Sequence, residues 1–70
     1  MADKIQVTIN GERRVFGTAP SVLEVLESLG LEPERVAVEL DRAIVKRPLW
    51  EATRVAAGAE MEIVQFVGGG

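Results

Sequence analysis

The sequence predicts an α+β roll, a mixed sheet of four to five strands crossed by one main helix. Two observations carry that prediction. Lys4-Ile5-Gln6-Val7-Thr8-Ile9 alternates polar and apolar residues up to Asn10-Gly11, the mark of a strand entering a tight hairpin. Ser21-Val22-Leu23-Glu24 then opens the one clear amphipathic helical segment, with further strand-like runs after it.

Each element follows from its residues. Ile5, Val7 and Ile9 share one face of the first strand, and Asn10-Gly11 tolerates the positive φ angles of a type I′ turn, so the chain reverses through Arg13-Arg14-Val15-Phe16. Ser21 and Glu24 are spaced for reciprocal capping. Val22, Val25, Leu26 and Leu29 form an apolar stripe over a helix of residues 21 to 29, and Gly30 suits the left-handed position that ends it. Val36-Ala37-Val38-Glu39-Leu40 reads as a strand with Val36, Val38 and Leu40 directed one way, followed by a turn at Asp41-Arg42 and a short extended piece at Ala43-Ile44-Val45. Pro48 opens a single helical turn through Glu51, and Met61-Glu62-Ile63-Val64-Gln65-Phe66 is the last strand, apolar on both faces. Met61 and Ile63 are expected under the helix, with Val64 and Phe66 on the opposite, less covered face. Trp50 is expected to fill space beneath the sheet end. An open ββαββ sandwich of different connectivity is the alternative this pattern leaves.

Composition narrows the function. Seventy residues, 47% hydrophobic and 27% charged, make one folded domain with a small core and little room for an enclosed active site. The chain has no Cys and no His, which removes a thiol nucleophile, thiolate-bound zinc and the commonest general base at neutral pH. A net charge of −3 with scattered Lys and Arg argues against nucleic acid as a partner. Glu24, Glu27, Glu32 and Glu34 read as a solvated acidic face. No run approaches the roughly 20 apolar residues that cross a bilayer, and no signal-peptide core is present, so a cytoplasmic location is expected.

The chain ends Val67-Gly68-Gly69-Gly70. Consecutive glycines after a strand bury no side chain and lose the most entropy on ordering, so residues 1–66 are expected to form the domain and residues 67–70 a flexible glycine tail. Four extended residues reach about 13–14 Å, enough to thread a narrow channel in another protein. The plain alternative is a frayed terminus or the remnant of a linker. The glycines lack the Lys-Ser/Thr of a phosphate-binding loop.

The Asn10-Gly11 hairpin, the reversal from Val38-Glu39-Leu40-Asp41 to Ile44-Val45, Arg47-Pro48-Leu49-Trp50 and above all Glu62-Ile63-Val64-Gln65-Phe66-Val67-Gly68-Gly69-Gly70 resemble the thiamine-biosynthesis sulfur carrier family, ThiS, almost throughout the chain. At Gly58-Ala59-Glu60 the sequence departs from the Gly-Asp that relatives often carry there. The resemblance implies a ubiquitin-like β-grasp fold and a co-substrate rather than an enzyme. It implies that a ThiF-like adenylating enzyme uses MgATP to activate the carboxylate of Gly70. Sulfur from a persulfide donor then converts it to a thiocarboxylate, which is presented to a ThiG-like thiazole synthase. No cofactor or metal is expected on the chain itself. Val64, Phe66, Val67, Gly68 and Gly69 are the candidate partner-binding residues. A carrier for molybdopterin or another sulfur-containing metabolite, and a β-grasp interaction module that binds by strand addition, are the rival functions.

Overall fold

The computed structural model describes residues 4–67. Strand β1 (Ile5–Ile9) runs into Asn10 and Gly11, whose φ angles of 50° and 82° give the type I′ geometry that a right-twisted hairpin requires, and β2 (Glu12–Phe16) returns antiparallel with Ile9 opposite Glu12. The one α-helix, α1 (Val22–Ser28), follows, then a 3-10 turn at Pro33–Arg35, β3 (Val36–Leu40), β4 (Ala43–Ile44), a second 3-10 turn at Arg47–Leu49 and β5 (Glu60–Gln65). The strands lie in the order β2-β1-β5-β3-β4, with β1 and β5 parallel and the other pairs antiparallel. This is the expected α+β roll, a mixed five-stranded sheet with one main helix and the last strand in the centre. The open ββαββ alternative is excluded by the β1–β5 pairing.

Every backbone N–H at the start of α1 has a partner, which explains where the helix begins. The Ser21 N–H donates to Glu24 Oε1 at 2.8 Å and the Glu24 N–H donates to Ser21 Oγ at 3.0 Å, the reciprocal capping box. The N–H groups of Val22 and Leu23 donate to the carbonyls of Thr53 and Trp50, so the loop between β4 and β5 closes over the helix end. At the other end Leu29 is the cap and Gly30 has φ 71°, and the bonds from Gly30 N to Glu27 O and from Leu31 N to Leu26 O make a complete Schellman motif. The regular helix is thus one residue shorter at each end than the span 21 to 29, because those two residues are its caps.

Val22, Val25 and Leu26 are fully buried against Val7 and Ile9 of β1, Val36 and Val38 of β3, and Met61 and Ile63 of β5, while Leu29 is only partly buried at the cap. Trp50, 4% exposed, closes the same cluster with Val55, and its indole N–H donates to the Val45 carbonyl at 2.7 Å. The expected role of Trp50 as core filler therefore holds. The helical turn before it is 3-10 and starts at Arg47 rather than Pro48.

β1 has only two paired positions with β5, Thr8 with Glu60 and Ile9 with Met61, because the hairpin turn begins at Asn10. Past that point the Asn10 side chain replaces the missing strand. Its Oδ1 accepts from the Ile63 N–H at 2.8 Å and its Nδ2 donates to the Ile63 carbonyl at 3.1 Å. On the far side, Asp41 Oδ1 accepts from the Glu60 N–H and the Asp41 N–H donates to the Glu60 carbonyl, fixing the start of β5.

Leu26 has no solvent exposure and sits at the middle of the helix–sheet contact, so Leu26→Ala should destabilise the domain by about 2–5 kcal/mol. Urea denaturation followed by circular dichroism measures this as a lowered midpoint at unchanged slope.

Candidate functional site

Strand alternation divides the sheet into a covered and a bare face. β5 places Met61 and Ile63 under the helix and turns Glu62 and Val64 to the bare side, and continuing the alternation puts Phe66 there too. The cross-strand register completes this face. Val64 lies opposite Ala37, Glu62 opposite Glu39, and Glu39 in turn opposite Ile44 on the edge strand. Val64 is 58% exposed, Phe66 55% and Ile44 74%, three large apolar side chains left in water on one face.

The face has two halves. Toward the C-terminal end of β5 it is apolar, with Ala37, Val64 and Phe66, while Ile44 stands on the edge strand in the row of Glu39 and Glu62. The Phe66 N–H donates to the Arg35 carbonyl at 2.7 Å, extending the ladder with β3 one residue past the regular strand. Val67, 92% exposed, follows it. Toward the opposite end a shallow groove of about 340 Å³ is lined by Thr8, Gly11, Glu39, Arg42, Glu60, Met61 and Glu62. None of its three carboxylates has an ion pair among the described residues, although Glu39 and Glu62 stand directly across from each other, an arrangement that costs stability.

The expected orientation of Val64 and Phe66 agrees with the structure, and Val67 continues from them. Gly68, Gly69 and Gly70, the remaining predicted site residues, lie outside the described residues. The acidic stretch of Glu24, Glu32 and Glu34 is exposed and locally paired, with Arg54, Arg35 and Arg47 respectively, and takes no part in this face. Sequence reading passed over Ile44 and the carboxylates of Glu39, Glu60 and Glu62 as face residues. The signal for them was the two-residue turn at Asp41-Arg42, which fixes Ile44 opposite Glu39 once the strands are placed. Among the described residues no cluster of acidic side chains has the geometry to hold a metal ion, and no helix is long and apolar enough to cross a membrane.

One helix over a mixed five-stranded sheet, with the central last strand running out beside a bare apolar face, defines a small ubiquitin-like β-grasp protein. The model of the ThiS family matches residues 4–70. The fold superposes on the crystal structure of the thiamine biosynthesis protein ThiS from Geobacter metallireducens with a TM-score of 0.79 and 33% identity, over 94% of this chain and 100% of that one. The solution structure of a thiamine biosynthesis protein from the same organism gives a TM-score of 0.75 at 33% identity, over 94% and 88% of the two chains. Among curated proteins, the chain is 38% identical over 66 residues to a thiazole synthase of Paramagnetospirillum magneticum and 33% identical over 66 residues to one of Magnetococcus marinus. In each case 94% of the chain matches 20% of the relative, so the chain spans about a fifth of the length of these curated relatives. The protein belongs to the ThiS family of thiamine-biosynthesis sulfur carriers.

Val64→Asp and Phe66→Asp should leave the fold intact, each lowering stability by no more than about 1 kcal/mol, because both side chains are already more than half in water and the main cost is the poor strand propensity of Asp. Near-native circular dichroism and urea midpoints are the expected result.

Proposed function

We propose that this protein carries sulfur in thiamine biosynthesis on the carboxylate of Gly70. A carboxylate is an anion at neutral pH and resists nucleophiles, so it has to be activated. A ThiF-like partner transfers AMP from MgATP to the Gly70 carboxylate and releases pyrophosphate. The terminal sulfur of a persulfide displaces AMP, a thiol cleaves the resulting S–S bond, and the glycine is left as a thiocarboxylate. Its anionic sulfur is the nucleophile delivered to a ThiG-like thiazole synthase.

The observation that carries this reading is that the family match includes Gly68-Gly69-Gly70, while Val64, Phe66 and Val67 lie exposed immediately before them. The absence of Cys supports it as well, since the sequence offers no thiol as an alternative sulfur acceptor. The relatives called thiazole synthase support that enzyme as the recipient.

The bare face of the sheet docks the adenylating enzyme in this reading. Its apolar half supplies desolvated area next to the tail, and the unpaired Glu39, Glu60 and Glu62 favour a partner with basic residues at the corresponding positions. Val64→Asp or Phe66→Asp should weaken that complex by roughly tenfold or more, because a charge without a partner is buried in the contact. Isothermal titration against the adenylating enzyme measures it, and unchanged affinity in a folded variant removes the residue from the interface.

Incubation with the adenylating enzyme, MgATP and a persulfide donor should replace one oxygen of the protein by sulfur, detected by intact mass. One extra residue after Gly70 should abolish the exchange, because the new carboxylate sits up to about 3.6 Å further along the channel. Gly69→Val should also abolish it, since a β-branched side chain widens and stiffens the segment that has to thread. Sulfur incorporation with an amidated terminus would overturn the proposal. A strand-adding interaction module would keep its partner with the extra residue and incorporate no sulfur at all.

A further inference from the structure

Asn10 is the only asparagine in the sequence, and it precedes a glycine. Asn-Gly is the dipeptide most prone to deamidation, because a glycine leaves the next backbone nitrogen unhindered. A Cβ built on Gly11 would meet nothing within 4 Å, so no neighbouring group crowds this side of the turn. Yet the Asn10 amide is occupied. Both of its polar atoms are committed to the backbone of Ile63, at 2.8 and 3.1 Å, which fixes the side chain toward β5 and away from Gly11.

We propose that Asn10 is a deamidation site gated by the fold: stable while its amide clips the hairpin to β5, reactive when the clip opens, and unable to close properly once converted. In the open state the Gly11 amide gives its proton to hydroxide, its nitrogen bonds to Asn10 Cγ, and the bond from Cγ to the side-chain nitrogen breaks. Ammonia leaves. Water opens the resulting succinimide at either carbonyl, giving aspartate or isoaspartate, with no oxidant or reductant involved.

Neither product restores the clip. In aspartate a carboxylate oxygen stands where Nδ2 donated, facing the Ile63 carbonyl as acceptor against acceptor. In isoaspartate the main chain gains a methylene between two residues whose φ angles of 50° and 82° define a two-residue turn. Ile63 lies in the strand that leads directly to Val67 and the terminal glycines, so damage at the hairpin reaches the segment from which the tail departs. The modification is one-way, and its rate measures how often β5 separates from the hairpin.

The test uses the intact protein at mildly alkaline pH, with deamidation followed by mass and located by peptide mapping. Native protein should deamidate at Asn10 at least about tenfold more slowly than the same protein unfolded in urea, and the Leu26→Ala variant, native but destabilised, should fall between them. Asn10→Asp and Asn10→Gly should both lower the urea midpoint, the glycine variant because it keeps the positive φ of the turn and loses both hydrogen bonds. Equal rates in the native and unfolded wild-type protein would overturn the gating. Wild-type midpoints in both variants would overturn the clip.

Discussion

The double hydrogen bond between the Asn10 side chain and the Ile63 backbone is the constraint on which the architecture depends. β5 is the central strand, with β1 on one side and β3 on the other, and the backbone polar groups of a central strand have to be satisfied on both edges. β3 provides five paired positions, but β1 turns away at Asn10 after two. Without a substitute, the N–H and carbonyl of Ile63, a residue only 8% exposed, would be left unpaired. A primary amide is the smallest side chain that offers one donor and one acceptor in the spacing of a peptide group. Asparagine also tolerates the left-handed backbone that the hairpin turn imposes. One residue thus closes the hairpin and extends the sheet, and both demands fall on the same position.

From this constraint follows an asymmetry between the two faces. The hairpin and β5 are locked into one sheet, and a seven-residue helix covers only one side of it. The covered side takes nearly all the long aliphatic residues. The other side retains Ile44, Val64 and Phe66 in water and sets Glu39 against Glu62. Neither arrangement stabilises the isolated domain. Replacing Glu39 by Thr, a β-former of no charge, would remove the repulsion at no structural loss visible in the fold. A face that is apolar at one end and acidic at the other is consistent with burial against a second protein, where the apolar half loses its water and the carboxylates find basic partners.

Most of the fold was legible in the sequence because it was written in short-range chemistry. Alternation in Lys4–Ile9, the Asn10-Gly11 turn, the Ser21–Glu24 box and the Gly30 stop each depend on residues within five positions of one another, and each appears in the structure. The parallel pairing of β1 with β5 was less visible. It joins residues more than fifty positions apart, Asn10 and Ile63 among them, and no local pattern encodes it. The Asn10-Gly11 pair was readable as a turn, while the second task of the Asn10 side chain required knowing which strand lay beside it. The face around Val64 followed from alternation alone. Its extension to Ile44 and the carboxylates needed the register of β3 with β4 and β5, which only the assembled sheet provides.

The separation between what stabilises this protein and what it presents has a physical basis. Core residues such as Leu26 gain their burial on folding, so truncating them subtracts directly from a small total stability. Val64 and Phe66 keep more than half their surface in water in the free protein, so the apolar area they have left can be buried only against another molecule. A domain of this size has too little interior to shelter a reactive side chain, and this one contains neither Cys nor His to shelter. The chemistry proposed for Gly70 asks nothing of the core. It needs a strand held firmly enough that the segment leaving it starts from a defined place, and the pairing of β5 with β3, continued to Phe66 by the Arg35 carbonyl and braced from the other side by Asn10, provides that.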